Sequence, residues 1–122
     1  MSKTVTTAEA IAFWQAYQAL HERKCALPAL TAYRCKLAAE AVKPVVAAFE
    51  AARLEQAVAH GATDGQPVPD DKLAAFLDAI NPLLTEAHPV TVKAVDPETA
   101  FGDAVLTPEE MGALCAVLAE GQ

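Results

Sequence analysis

The chain has 122 residues, 53% hydrophobic but only 6% aromatic, and a formal net charge of −7; that length suits one domain, 1–122, with a small core of closely packed, alanine-rich helices. The acidic total argues against a general nucleic-acid binder, which must neutralise phosphates, and no run approaches the ~20 apolar residues that span a bilayer. Met1-Ser2-Lys3-Thr4 lacks a hydrophobic signal core, and three cysteines with no CxxC pair do not form a secreted disulfide framework, so a cytosolic protein with free thiols is expected.

The first element is announced by Thr6-Thr7-Ala8-Glu9, which has the spacing of a capping box. A helix follows to about Arg23, its apolar face carrying Ala10, Phe13, Trp14, Tyr17, Leu20 and His21. A short break precedes Pro28, where a first-turn proline costs no helical hydrogen bond, and a second, long helix runs to His60-Gly61. Leu30, Tyr33, Leu37, Ala41, Val45, Ala48, Phe49 and Ala52 recur at three- and four-residue spacing, so that face is expected to be buried. Arg34, Lys36, Glu40, Lys43, Glu50 and Glu55 form the opposite, solvated side, with Leu54 and Val58 among them. Pro44 inside the pattern predicts a kink, or two helices end to end. The expected result is an αα-hairpin over about 7–60 with a long kinked second helix.

Residues 61–69 hold Thr-Asp-Gly and two prolines and read as a loop. Asp70 or Asp71 should cap a third helix over about 70–86, with Leu73, Phe76, Leu77, Ile80, Leu83 and Leu84 on its core side and a bend or break at Asn81-Pro82. After His88-Pro89 the period changes: Val90, Val92 and Ala94 alternate with their neighbours, predicting a strand over about 90–95. Its partner should be Lys3-Thr4-Val5, Ala104-Val105-Leu106 or the same strand of another subunit. Thr107-Pro108-Glu109-Glu110 opens a last helix over about 108–119, buried through Met111, Leu114, Cys115 and Leu118. The fold class is therefore mainly α, with a small β element.

Charge divides unevenly: residues 1–60 hold seven Lys/Arg against five Asp/Glu, net +2, and residues 61–122 hold two against eleven, net −9. Arg23, Lys24, Arg34, Lys36 and Lys43 could gather as a local basic patch, though ordinary solvated helix faces explain them more simply, and the asymmetry permits head-to-tail self-association. His21 and Cys25 are four apart, with Cys35 across the hairpin turn, the nearest approach to a zinc set in the chain. A fourth ligand is missing, and buried thiols with a satisfied or exposed histidine explain the same residues. His60 and His88 read as cap and turn residues, and Asp64, Asp70 and Asp71 as turn and capping groups rather than calcium ligands. With no GxSxG, no phosphate-binding glycine loop and no paired acid and base in an apolar face, no enzymatic activity and no cofactor is expected.

The order of segments resembles a group of small, uncharacterised proteins encoded in tailed bacteriophages and prophages. The matching features are Ala19-Leu20, Leu27-Pro28 with Ala32-Tyr33 and Lys36, Phe49 to Arg53, Asp64-Gly65-Gln66-Pro67, Phe76 with Leu83-Leu84, Val90-Thr91-Val92 and Leu106-Thr107-Pro108. Alanine richness sets this chain apart from the more lysine-rich members. The resemblance implies a non-enzymatic accessory or virion-assembly protein, in the host cytoplasm or the virion, and carries over no catalytic residue. It works through protein contacts in this reading, with Val90, Val92 and Ala94 as interface candidates on an open strand edge and a homo-oligomer or larger phage structure as partner. The alternative is a small phage-encoded inhibitor whose acidic surface binds a host protein.

Overall fold

The computed structural model describes residues 2–63, 65–91, 101–102 and 104–118. Its elements are β1 (Ser2–Thr6), α1 (Thr7–Glu22), α2 (Ala29–Ala59), α3 (Asp70–Thr85), β2 (Ala87–Thr91) and α4 (Pro108–Leu118). The fold is mainly helical, with one small antiparallel sheet of two strands among the described residues.

Local chemistry accounts for the helix starts. Thr6 Oγ1 accepts from the Glu9 N–H at 3.1 Å while Glu9 accepts from the Thr6 N–H at 2.8 Å, the reciprocal box at the start of α1. Thr107 and Glu110 repeat it at α4, at 3.1 and 2.9 Å. α3 begins differently from expectation. Pro69 is its N-cap and makes no side-chain cap bond, so Asp70 and Asp71 lie in the first turn, where their charge favours the positive end of the helix dipole.

Both internal prolines are tolerated. α2 is one continuous helix of 31 residues through Pro44, not two end to end, and α3 continues past Pro82 to Thr85. Glu40 and Pro44 are exposed, so water can take the Glu40 carbonyl that Pro44 leaves without its amide donor.

The turn between α1 and α2 carries a device that its sequence, lacking glycine, does not announce. The Lys24 N–H donates to His21 O and the Cys25 N–H to Leu20 O, a Schellman cap, and Lys24 takes the left-handed φ of 53° that such a cap demands. Gly61 does the same for α2, at φ 98°, with its N–H on Val58 O and the Ala62 N–H on Ala57 O.

The core is contiguous across β1, α1, α2, β2 and α4. Val5, Phe13, Leu20, Cys35, Val42, Val90, Leu114 and Leu118 are buried together with Ala10, Ala16, Ala38 and Ala39, and Phe101 joins them from the segment before α4. Alanines at these positions let α1 and α2 approach closely.

The phase of α2 differs from the periodicity reading by about one residue. Its buried residues are Thr31, Cys35, Ala38, Ala39 and Val42, whereas Leu30 and Tyr33 stand about 60% exposed. The long side chains are too large for the close α1–α2 contact, so alanine, threonine and cysteine fill it. In α3 only Ile80 is buried, while Leu73 and Leu77 are over 40% exposed and Phe76, Leu83 and Leu84 are half-buried. On α1, His21 is exposed; on α4, Val117 is fully buried and Met111 and Cys115 half-buried.

β2 is described over Ala87–Thr91, so it starts three residues before the expected 90–95, of which 92–95 lie outside the described residues, and its partner is the N-terminal strand. Lys3 pairs with Val90, Thr4 with Pro89 and Val5 with His88. Residues 104–107 form no strand. The sheet is joined to α1 beside it: the Thr7 N–H donates to Glu86 O at 3.0 Å, and Thr7 Oγ1 meets His88 Nε2 at 2.8 Å.

Candidate functional site

An open strand edge is expected at Val90, Val92 and Ala94. Val90 is buried and paired, and Val92 and Ala94 lie outside the described residues. Among the described residues, exposed large apolar side chains collect mostly on the outer side of α2 and on α3.

Its geometry follows from the turn that joins them. The Gly61 cap ends α2, and His60 Nδ1 lies 2.7 Å from Gln56 O while its ring meets the Phe76 ring edge-on, centroids 6.1 Å apart. Thr63 and Gln66 then form a bridge around Gly65, which holds φ 77°. Pro67-Val68-Pro69 leads directly into α3. Between the last turns of α2 and the start of α3 this leaves an open groove of about 750 Å³, lined by Leu54, Val58, Pro67, Val68, Leu73 and Phe76. Leu54 and Val58 are 57% and 65% exposed, values that core-facing residues never show. A contiguous apolar patch with polar residues at its rim, here Arg53 and Gln66, has the composition of a protein contact site. Arg53 is held by Glu50 at 2.9 Å.

The residues first considered for chemistry fall elsewhere. Cys35 is fully buried, and burial pushes its thiol up to about 11, so it stays protonated. His21 is exposed and packs its ring on Tyr17 at 5.0 Å, and Cys25 is half-buried with its thiol 3.8 Å from Val105 O. His21 and Cys25 line one small hollow with Tyr17 and Leu27, and among the described residues no three His, Cys, Asp or Glu side chains gather as metal ligands. His88 lies in β2, not in a turn. With Val45, Phe49 and Leu83 it lines a smaller hollow of about 230 Å³, at whose wall the Thr7 hydroxyl is buried and already engaged.

The basic cluster is also divided. Arg23 places both guanidinium nitrogens on the Glu110 carboxylate, with Nη2 reaching 2.6 Å from Oε1 and 3.0 Å from Val105 O. These hydrogen bonds, first from Arg23 and then from the Thr107 N–H, pull the Glu110 carboxyl down to about 2. The arginine is thereby a clamp between the hairpin turn and α4. Sequence reasoning missed both this pair, which is 87 positions apart, and the groove, whose residues it placed partly in the core and partly on the charged face.

Among the described residues no helix is long and apolar enough to cross a membrane. No protein-family model, curated protein or solved structure matches this chain.

Proposed function

We propose that this chain is a non-enzymatic phage accessory or virion-assembly protein that works by protein–protein contact. The observation that carries the reading is the apolar groove between α2 and α3, where Leu54, Val58 and Leu73 stand in water although each belongs to a helix with a buried side available. Exposing three large aliphatic side chains together favours any state in which they are covered. The resemblance of segment order to small phage proteins supplies the setting.

The test is mass spectrometry of purified particles from cells carrying the phage, with the wild-type chain and a Leu73→Glu variant. A stoichiometric wild-type protein that the variant fails to replace supports the reading; absence of the wild type from particles and from assembly intermediates refutes it. A second reading, an inhibitor of a host protein, is favoured by the exposed Asp70, Asp71 and Asp78 of α3, which would present acidic charge to a basic site.

A further inference from the structure

We infer that the groove between α2 and α3 seats one amphipathic helix of a partner protein, aliphatic on the side that enters and carrying Lys or Arg on its flanks. The inference rests on the contact reading above and names the chemistry of the partner.

The walls of the groove select a protein segment over a small molecule. Leu54, Val58, Val68, Leu73 and Phe76 make the apolar lining, and the one charged side chain among the lining residues, Arg53, already donates to Glu50. The buried polar side chains among the described residues, Thr7, Thr31 and Glu110, all lie elsewhere, so no fixed polar group is there to orient a small ligand. The walls also select a helix over an extended chain. An added strand must be met by unpaired backbone donors and acceptors. Here α2 and α3 satisfy theirs internally, Thr63 and Gln66 each donate to the other's carbonyl, and Pro67 and Pro69 have no N–H to give. A helix arrives with its own backbone satisfied and offers only side chains. Leu54 and Val58 stand one turn apart on α2, as Leu73 and the likewise exposed Leu77 do on α3, so an incoming helix meets rows spaced like its own i and i+4 positions.

Charge names the flanks. Exposed Glu55 follows Leu54, Asp70 lies one turn before Leu73, and exposed Asp71 and Asp78 sit on the same helix. With Glu50 these make five carboxylates against two cations, a net of −3 over the described residues of 50–78. Both cations are engaged. Arg53 holds Glu50, and Lys72 lays its stem over Gly61, its Cδ 3.5 Å from where a Cβ on that glycine would stand, beside the negative end of the α2 dipole. Glu55, Asp70, Asp71 and Asp78 form no ion pair among the described residues. Lys and Arg on the flanks of the partner helix supply the counter-charge.

The probe is a fluorescein-labelled amphipathic peptide of about 15 residues, with leucine at i, i+3, i+4 and i+7 and lysine elsewhere, beside a twin with glutamate in place of lysine. Each is titrated with the full-length chain and read by anisotropy. The lysine peptide should bind one-to-one and gain helical signal, and the glutamate twin should bind about ten-fold more weakly or worse. Val58→Ser and Leu73→Ser should each weaken the lysine peptide about ten-fold or more while the chain keeps its own circular dichroism. Glu55→Gln with Asp70→Asn should weaken it about two- to five-fold at low salt, a gap that closes as salt rises. Glu22→Gln with Glu40→Gln removes the same charge away from the groove and should change binding by less than about two-fold. Equal losses in the two double variants, a bound peptide that is not helical, or binding that survives Leu73→Ser overturns the inference. A wild-type mass above the monomer that Leu73→Ser returns to one copy, read by sedimentation velocity, makes the occupant a second copy and overturns it too. Particle incorporation is scored separately: a chain that takes no helix yet enters particles through Leu73 defeats this inference and leaves the contact reading intact.

Discussion

Phe13 is the largest side chain in the core with no exposure, and replacing it tests which helix faces hold the molecule together. Its ring packs nearly parallel to Tyr17, centroids 6.3 Å apart, and it belongs to the same cluster as Leu20, Cys35, Ala38, Val42 and Leu114. Because its neighbours include many alanines, which cannot swing to fill space, Phe13→Ala should leave most of the ring's volume empty. The expected cost is about 3–5 kcal/mol. For 122 residues the whole stability is roughly 6–18 kcal/mol at 0.05–0.15 kcal/mol per residue, so this one change removes a large part of it. With a urea slope of about 2 kcal/mol per molar, the midpoint should fall by roughly 2 M. Phe76 provides the internal control. Half-buried at the groove, with one ring edge on His60, it should cost only about 1 kcal/mol on truncation. The assay is urea unfolding followed by far-ultraviolet circular dichroism. Equal losses for the two variants, or a Phe13→Ala loss under about 1 kcal/mol, would refute the placement of the core.

Glu110→Gln removes the charge from the clamp but retains a capping side chain, and its effect should depend on pH with a definite sign. The folded carboxyl lies at about 2 against an ordinary 4.5, so the stabilisation is complete above about pH 4.5 and disappears as pH falls toward 2; the difference in melting temperature between wild type and variant should close over that interval. Lys24→Gly should raise stability by about 0.5–1 kcal/mol in the same urea assay, because glycine takes the left-handed φ of 53° without the Cβ strain. An aromatic disulfide reagent near pH 8 should label half-buried Cys25 and Cys115 well before Cys35, whose thiol is buried and protonated; equal rates would place Cys35 wrongly.

What the sequence disclosed was what is written locally. Both capping boxes lie within four consecutive residues, and so were legible, as were the glycine that ends α2 and the αα-hairpin itself. The phase of α2 was not, because alanine occupies so many positions that the large residues dominate the pattern, and here Leu30, Tyr33, Leu54 and Val58 point outward. Amphipathicity in α3 was read correctly from Leu73, Phe76 and Leu77, but periodicity shows only that a helix has an apolar side, not that something within the chain covers it. Tertiary pairs were hardest. The β1 segment was one of three candidate partners for β2, and nothing near Arg23 in the chain points to Glu110. At Pro44 and Pro82 the helices continue instead of breaking, since an exposed carbonyl before Pro44 can be satisfied by water.

α1 is fastened at both ends by residues that the chain supplies much later. At its start, Thr7 is held by Glu86 and His88; just past its end, Arg23 is held by Val105 and Glu110. Local pairing can bring α1 against α2 early, yet neither fastening exists until some 80 further residues have folded back, which places their formation late on any folding route. The hairpin alone would then be an incomplete unit with loose ends, and its amides would exchange with solvent through local opening. In the whole chain, the two fastenings tie α1 to the fate of β2 and α4. Slow-exchanging amides in α1 should accordingly report unfolding of the entire molecule, and loosening either fastening should let one end of that helix exchange ahead of the rest.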